Sequence, residues 1–223
     1  MTVSRGTNGR SPTVSNRWER RREEILERAI KLFARDGYAD LDLQILADDL
    51  GIGKGTLYRY FGSKQDLFLA AADRAMHNLR QYIETSLAGI EEPLERITAA
   101  IQAYLRYFRD HPEAVEMLIQ ERAQFKDRKQ PTYFQHREAH RERWRTLYRD
   151  LIAQGRIRPI PVERILDVIG DLLYGTMFVS YVAGRNRPPE EMAADIIDIV
   201  FHGILSDAER QRRLTKTAGP AHD

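Results

Sequence analysis

The sequence predicts an all-α fold, and three observations carry that prediction. Apolar residues recur at helical spacing along most of the chain. No stretch of useful length alternates as a half-buried strand would, and no internal repeat is present. Prolines, and glycines such as Gly37, Gly51 and Gly155, mark the ends of the periodic segments. The chain has 223 residues, 42% hydrophobic and 30% charged. That is enough apolar material for a core and excludes global disorder. Cysteine is absent, which removes disulfides, thiolate nucleophiles, iron–sulfur clusters and Cys-ligated zinc. The apolar runs are charge-interrupted and short of the roughly 20 residues of a membrane span. The N-terminal end is basic without the apolar stretch of a secretory signal, so a cytoplasmic chain with no membrane partner is expected.

The elements follow in order. Residues 1–16 are rich in Ser, Thr, Gly and Asn and are expected to be disordered, with the basic arm taken to residue 18. Ile25, Ala29, Leu32 and Phe33 then share one face of a helix over about 18–36, with Gly37 where a C-terminal cap belongs. Asp42 is placed to cap a short helix whose apolar face is Leu43, Leu46, Ala47 and Leu50. Gly51-Ile52-Gly53 reads as a tight turn in which both glycines supply backbone angles that other residues resist. A third helix, about 54–61, points Leu57 and Phe61 inward. Ser63-Lys64-Gln65-Asp66 matches a capping box opening a fourth helix to about Leu87. Further helices are expected at 93–110, 112–125, 132–154, 162–185 and 189–206, separated by His111-Pro112, Gln130-Pro131, Gly155 and the proline pairs at 159/161 and 188/189. The tail from residue 207 is expected to be flexible.

Charge is unevenly spread. Residues 1–64 hold twelve Lys+Arg against nine Asp+Glu, whereas the rest is close to balanced. At the front, Arg5, Arg10, Arg17, Arg20, Arg21 and Arg22 face only Glu19. Such an arm suits a polyanion, and it equally suits a solvated tail. The basic stretch from Arg122 to Arg149 reads as a solvated helix face.

Two short helices joined by a glycine turn, with a longer helix ahead, match a helix-turn-helix over about 42–61. A short helix with an apolar back and a polar front can enter the major groove while its partner crosses the phosphate backbone. Lys54, Thr56, Tyr58, Arg59 and Tyr60 form that front: Lys and Arg donate to guanine or phosphate, Thr meets a thymine methyl, and Tyr hydroxyls reach phosphate. Periodicity alone leaves a helical hairpin inside an ordinary bundle equally open.

The residues Ile25-Leu26, Ala29, Leu32-Phe33, Gly37-Tyr38, Ala47, the run Gly51 to Phe61, Ser63-Lys64 and Leu67 make residues 19–79 similar to the N-terminal domain of the TetR family of transcriptional regulators. The resemblance implies DNA contact at Lys54, Gly55, Thr56, Tyr58, Tyr60 and Lys64, and operator discrimination at the variable position Arg59. The sequence departs from the family pattern at Leu41-Asp42, where Thr followed by Thr or Ser is usual. Asp42 can still cap the helix, but its charge repels a nearby phosphate, so no phosphate contact is carried onto residues 41–42. Gly53 stands where Ser is common.

The resemblance further implies that the C-terminal helices, residues 80–206, hold a ligand pocket and a dimer interface. The last two long helices are apolar on more than one face, through Ile165, Ile169, Leu172, Leu173 and Val179 and then Met192, Ile196, Ile197, Ile199, Val200 and Ile204. One side can pack within the domain and the other against a twin subunit, which would set two reading helices about 34–36 Å apart on a palindrome. Candidate pocket residues are Tyr104, Phe108, Met117, Phe125, Trp144, Tyr148, Tyr174 and Phe178, a set that favours an apolar or aromatic ligand. His136 and His140 are four apart, as two metal ligands on a helix can be, but Arg137, Arg141 and Arg143 surround them and the zinc-protease order of His and Glu is missing. No metal, cofactor or catalytic residue is therefore expected. The reading is a homodimeric DNA-binding repressor that a small ligand releases from its operator. The alternatives are a helical DNA-binding regulator without a ligand and a metal-dependent helical enzyme using His136 and His140.

Overall fold

A computed structural model describes residues 14–203. Residues 1–13 of the arm expected over 1–18, and the tail expected from 207, lie outside them. Among the described residues there are ten helices and no strand: α1 (Val14–Asp36), α2 (Leu43–Asp49), α3 (Lys54–Phe61), α4 (Lys64–Ser86), α5 (Pro93–Asp110), α6 (Pro112–Gln124), α7 (Thr132–Ala139), α8 (Arg141–Ala153), α9 (Val162–Val182) and α10 (Pro189–His202). The all-α expectation holds. The chain divides into two compact units, one running to Arg80 and including His111–His140, the other made of Gln81–Asp110 and the chain from Arg141.

In the first unit the apolar stripe of α1 (Ile25, Leu26, Ala29, Leu32, Phe33) is fully buried with Leu46 and Ala47 of α2, Leu57 of α3 and Leu67, Phe68, Ala71 and Ala72 of α4. α6 packs on α1, where the Gln120 side-chain amide donates from Nε2 to the Phe33 carbonyl at 2.9 Å. Phe125 stacks edge-on against Tyr38, with ring centroids 5.1 Å apart, and lies 5.6 Å from Phe68. The Glu121 carboxylate, almost wholly buried, accepts from the Thr132 amide at 2.9 Å, from the Thr132 hydroxyl at 3.0 Å and from the Arg128 guanidinium. That clasp fixes the start of α7 to the end of α6.

In the second unit α5 packs on α9 and α10, and α9 on α8. Its buried side chains include Ile97, Ile101, Tyr104, Leu105 and Phe108 of α5, Tyr148 and Leu151 of α8, Met177 of α9 and Ile196 of α10. Arg106 Nη2 donates to Glu190 at 2.7 Å, and Arg141 and Arg145 converge on Glu163.

Four expectations need correction. α1 starts at Val14, a turn ahead of residue 18. The helix expected over 132–154 is two helices, α7 and α8, broken at His140. No proline or glycine marks that break. α7 packs in the first unit, where His136 Nε2 meets Asp73 at 2.7 Å, and α8 packs in the second, so packing rather than local propensity interrupts the helix. α9 and α10 stop at Val182 and His202, short of 185 and 206, each with a left-handed glycine just beyond (Gly184, Gly203). Finally, α9 is long and apolar enough, by length and composition, to cross a membrane. Asp167 and Asp171 interrupt its apolar residues, so no uninterrupted run of spanning length stands out in the sequence. In the folded unit Asp167 is ion-paired to Arg141 at 2.8 Å.

Candidate nucleic-acid interface

The site is built by three short-range devices. Asp42, with extended backbone, accepts the Gln44 amide on Oδ1 at 2.9 Å and so starts α2. Gly51 leaves α2 with φ +63, a left-handed conformation that disfavours a side chain. Gly53 differs from the expectation: its φ of −73 and ψ of 144 are ordinary extended values, and it serves as the N-cap of α3. Only one of the two glycines is therefore required by its backbone angles. Arg21 Nη2 donates to the Leu50 carbonyl at 2.7 Å, and Arg28 pairs with Asp49, so α1 holds the far end of α2.

α3 is two-faced. Leu57 and Phe61 are buried, whereas Gly55, Tyr58 and Arg59 are exposed, Tyr58 to 44%. Lys54, Thr56 and Tyr60 are half-buried at the edges of that front. Lys54 Nζ lies 2.7 Å from Asp42 Oδ1. The pairing holds the Lys54 ammonium above its ordinary pKa, and the Gln44 amide followed by Lys54 holds the Asp42 carboxyl below its own. Lys64 is placed differently from the other candidates. Its ammonium donates to the carbonyls of Leu41 (2.6 Å) and Ala39 (3.2 Å) and sits 5.3 Å from the centroid of the Tyr38 ring. Desolvation lowers its pKa. Ser63 opens α4 as a cap, its hydroxyl accepting the Asp66 amide at 3.0 Å and donating to the Asp66 carboxylate at 2.6 Å.

Residues outside the expected set join this surface. Trp18 stacks on Tyr60 with ring centroids 4.7 Å apart, and Arg22 lies 5.4 Å from the centroid of the Phe61 ring. The i, i+3, i+4 spacing of Trp18, Arg21 and Arg22 puts them on one face of α1, but their partners Tyr60 and Phe61 are about forty residues away and spacing within α1 does not show them.

The candidate pocket residues divide between the units. Met117 and Phe125 belong to the first, Met117 fully buried and Phe125 in the cluster with Tyr38. The other six belong to the second. Tyr104 and Phe108 are buried with rings 4.9 Å apart, and burial pushes the Tyr148 phenol up. Trp144 is half-buried, and Tyr174 stacks at 6.4 Å on the exposed Phe178. His136 is engaged by Asp73, and its ring centroid lies 6.3 Å from that of His140.

With this geometry in view, residues 25–71 match bacterial regulatory proteins of the tetR family, and residues 91–204 match the tetracyclin repressor-like C-terminal domain. The uncharacterized HTH-type transcriptional regulator YerO of Bacillus subtilis is 35% identical over 105 residues, 45% of this chain and 36% of that protein. The chain thus spans well under two thirds of the length of this curated relative. The HTH-type transcriptional repressor KstR2 of Mycolicibacterium smegmatis is 25% identical over 87% of this chain and 95% of its own length. In three dimensions, the regulator FadR of Bacillus subtilis, solved in complex with stearoyl-CoA, aligns over 82% of this chain and 98% of its own, with a TM-score of 0.67 at 15% identity, a likeness of fold. These proteins are named as transcriptional regulators. The two matched regions together cover most of the chain, and it belongs to the TetR family of bacterial regulatory proteins.

Proposed function

We propose that the chain is a homodimeric transcriptional repressor that binds a palindromic operator through α3 and leaves it when a small apolar or aromatic ligand binds. The observation that carries the reading is the two-faced build of α3. Leu57 and Phe61 lock it to the core while Gly55, Tyr58 and Arg59 stand exposed, with Lys54, Thr56 and Tyr60 at the edges. Lys54, Thr56, Tyr58 and Tyr60 position α3 on the duplex, and Arg59 reads a base. Lys64 acts through the loop at Ala39–Leu41 that it bonds, shaping the approach to α2.

Support for the dimer comes from α9 and α10, which expose Val168 (58%), Val182 (62%) and Ile199 (51%) in the single chain. An apolar surface of that kind is the usual mark of an interface. Support for a ligand is more general. FadR of the same fold was solved with stearoyl-CoA, and aromatic side chains line the helices of the second unit. A ligand that favours one dimer state shifts the population between DNA-bound and released forms.

The test is a selection of genomic fragments by the purified full chain at physiological salt with competitor DNA. Recovery of a site with two half-sites about 10 bp apart supports the reading. Binding that is weak and erased by salt, with no common site, sinks it. A thermal-shift screen with apolar compounds, long-chain acyl-CoA among them, tests the ligand: a raised midpoint is expected, and operator release by the same compound must accompany it.

A further inference from the structure

The core of the first unit begins at Ile25, yet α1 extends eleven residues ahead of it. Trp18, Arg21 and Arg22 lie on one face of that extension, and each reaches the helix-turn-helix. The Trp18 ring lies on Tyr60, nearly parallel at 24°, Arg21 bonds the Leu50 carbonyl, and Arg22 faces the Phe61 ring. This face is therefore laid down on α2 and α3 rather than projecting into solvent. Trp18 remains 45% exposed, and Arg17 and Arg20 beside it are exposed as well. A held indole with an open surface and flanking cations matches the sugar–phosphate backbone of a duplex: guanidinium groups for phosphate, ring for deoxyribose, indole N–H for a phosphate oxygen.

We propose that this turn of α1 is a second DNA-contacting surface, with Trp18 lying on the backbone of double-stranded DNA beside the groove that α3 enters and positioning Tyr60 for its own contact. The inference rests on the DNA-binding reading above. It adds a sequence-independent contact from outside the helix-turn-helix. Because the contact is to backbone, its loss weakens operator and random duplex alike, whereas loss of a base-reading residue weakens the operator selectively.

The experiment uses the full chain as wild type, Trp18→Phe, Trp18→Ala and Lys54→Ala. Binding to a selected operator and to a random duplex of equal length is followed by anisotropy. The Trp18 emission is taken as the difference between wild type and Trp18→Phe, with acrylamide as quencher. Both duplexes are expected to shield Trp18 from acrylamide. Trp18→Ala is expected to weaken both by a similar factor of about tenfold, the size of one lost contact. Trp18→Phe keeps a ring on Tyr60 and recovers part of that loss. Unchanged thermal midpoints separate these effects from unfolding. If Lys54→Ala weakens binding while Trp18 stays equally quenchable and Trp18→Ala binds as wild type, the proposal falls and the DNA-binding reading stands. If quenching is unchanged but Trp18→Ala loses operator binding only, Trp18 acts within α3 alone and the second surface is refuted. Wild type binding neither duplex overturns both.

Discussion

Lys54 Nζ lies 2.7 Å from Asp42 Oδ1, so the first residue of α3 is ion-paired to the N-cap of α2. The same Asp42 oxygen accepts the Gln44 amide, so capping pins the carboxylate at the face that α3 presents. A DNA phosphate approaching Lys54 meets this anion first and must compete with it. Asp42→Asn keeps a good cap and removes the charge. Affinity for random duplex is expected to rise, and the slope of log K against log salt to steepen by about 0.9, one phosphate equivalent. Lys54→Ala is expected to flatten that slope by a similar amount. Titrations between about 50 and 200 mM salt decide it; identical slopes for wild type and Asp42→Asn refute the competition.

The glycines of the turn do different work. Gly51 sits at φ +63 and Gly53 at φ −73, and a Cβ at either would meet nothing within 4 Å. Gly51→Ala is therefore expected to destabilise the protein by about 1 kcal/mol through backbone conformation alone. Gly53→Ser places a capping hydroxyl at the start of α3 and is expected to stabilise by a few tenths, ~0.3 kcal/mol. Denaturant midpoints at equal m-value check both, and equal losses at the two positions contradict the assignment.

Glu121 is a buried carboxylate, and its partners Arg128 and Thr132 hold the corner between α6 and α7. Glu121→Ala strands the Thr132 amide and the Arg128 cation, for an expected loss of roughly 3 kcal/mol. Gln120, its neighbour, ties the same helix to the Phe33 carbonyl. Proteolysis near residues 126–131 is expected to accelerate in Glu121→Ala while helical content is retained; an unchanged unfolding midpoint refutes the clasp.

These cases show what was legible beforehand. The periodic stripes of α1 to α6 and the caps at Asp42 and Ser63 follow from local rules that a sequence displays directly. The break at His140 does not, because it is set by what the flanking helices pack against, His136 meeting Asp73, and the stacking of Trp18 on the distant Tyr60 is equally without a local signature. At the site, the exposed face of α3 was readable from spacing. The engagement of Lys64 by two carbonyls, and of Lys54 by Asp42, arises from side chains far apart in sequence and carries no periodic signature.

The His136–Asp73 bond sets a pH dependence. His136 holds the Asp73 carboxyl below its ordinary value. A lowered carboxyl contributes stability that is present above the unfolded pKa of about 3.9 and is lost as pH falls through the lower folded value. Asp73 is largely exposed, so the contribution is small, under about 1 kcal/mol. Asp73→Asn is expected to be slightly less stable than wild type at about pH 5–6, above that carboxyl range, with the difference vanishing below the folded pKa. A difference that grows on acidification contradicts this assignment.

Val168, Val182 and Ile199 are exposed on α9 and α10 of the single chain, beside Leu172, Val179 and Phe201. None of the first three is needed by the core, so a charge placed there spares the fold and acts on association alone. In a dimer built on this face, Val168→Glu or Ile199→Glu buries an unpaired carboxylate twice over, once per subunit by symmetry. Sedimentation is expected to show wild type as a dimer and either variant as a monomer with unaltered helical content. Operator affinity must fall together with dimer content, because one subunit presents one reading helix and a palindrome requires two. A variant that stays dimeric places the interface elsewhere; one that becomes monomeric and still binds the full operator with wild-type affinity removes dimerisation from the mechanism.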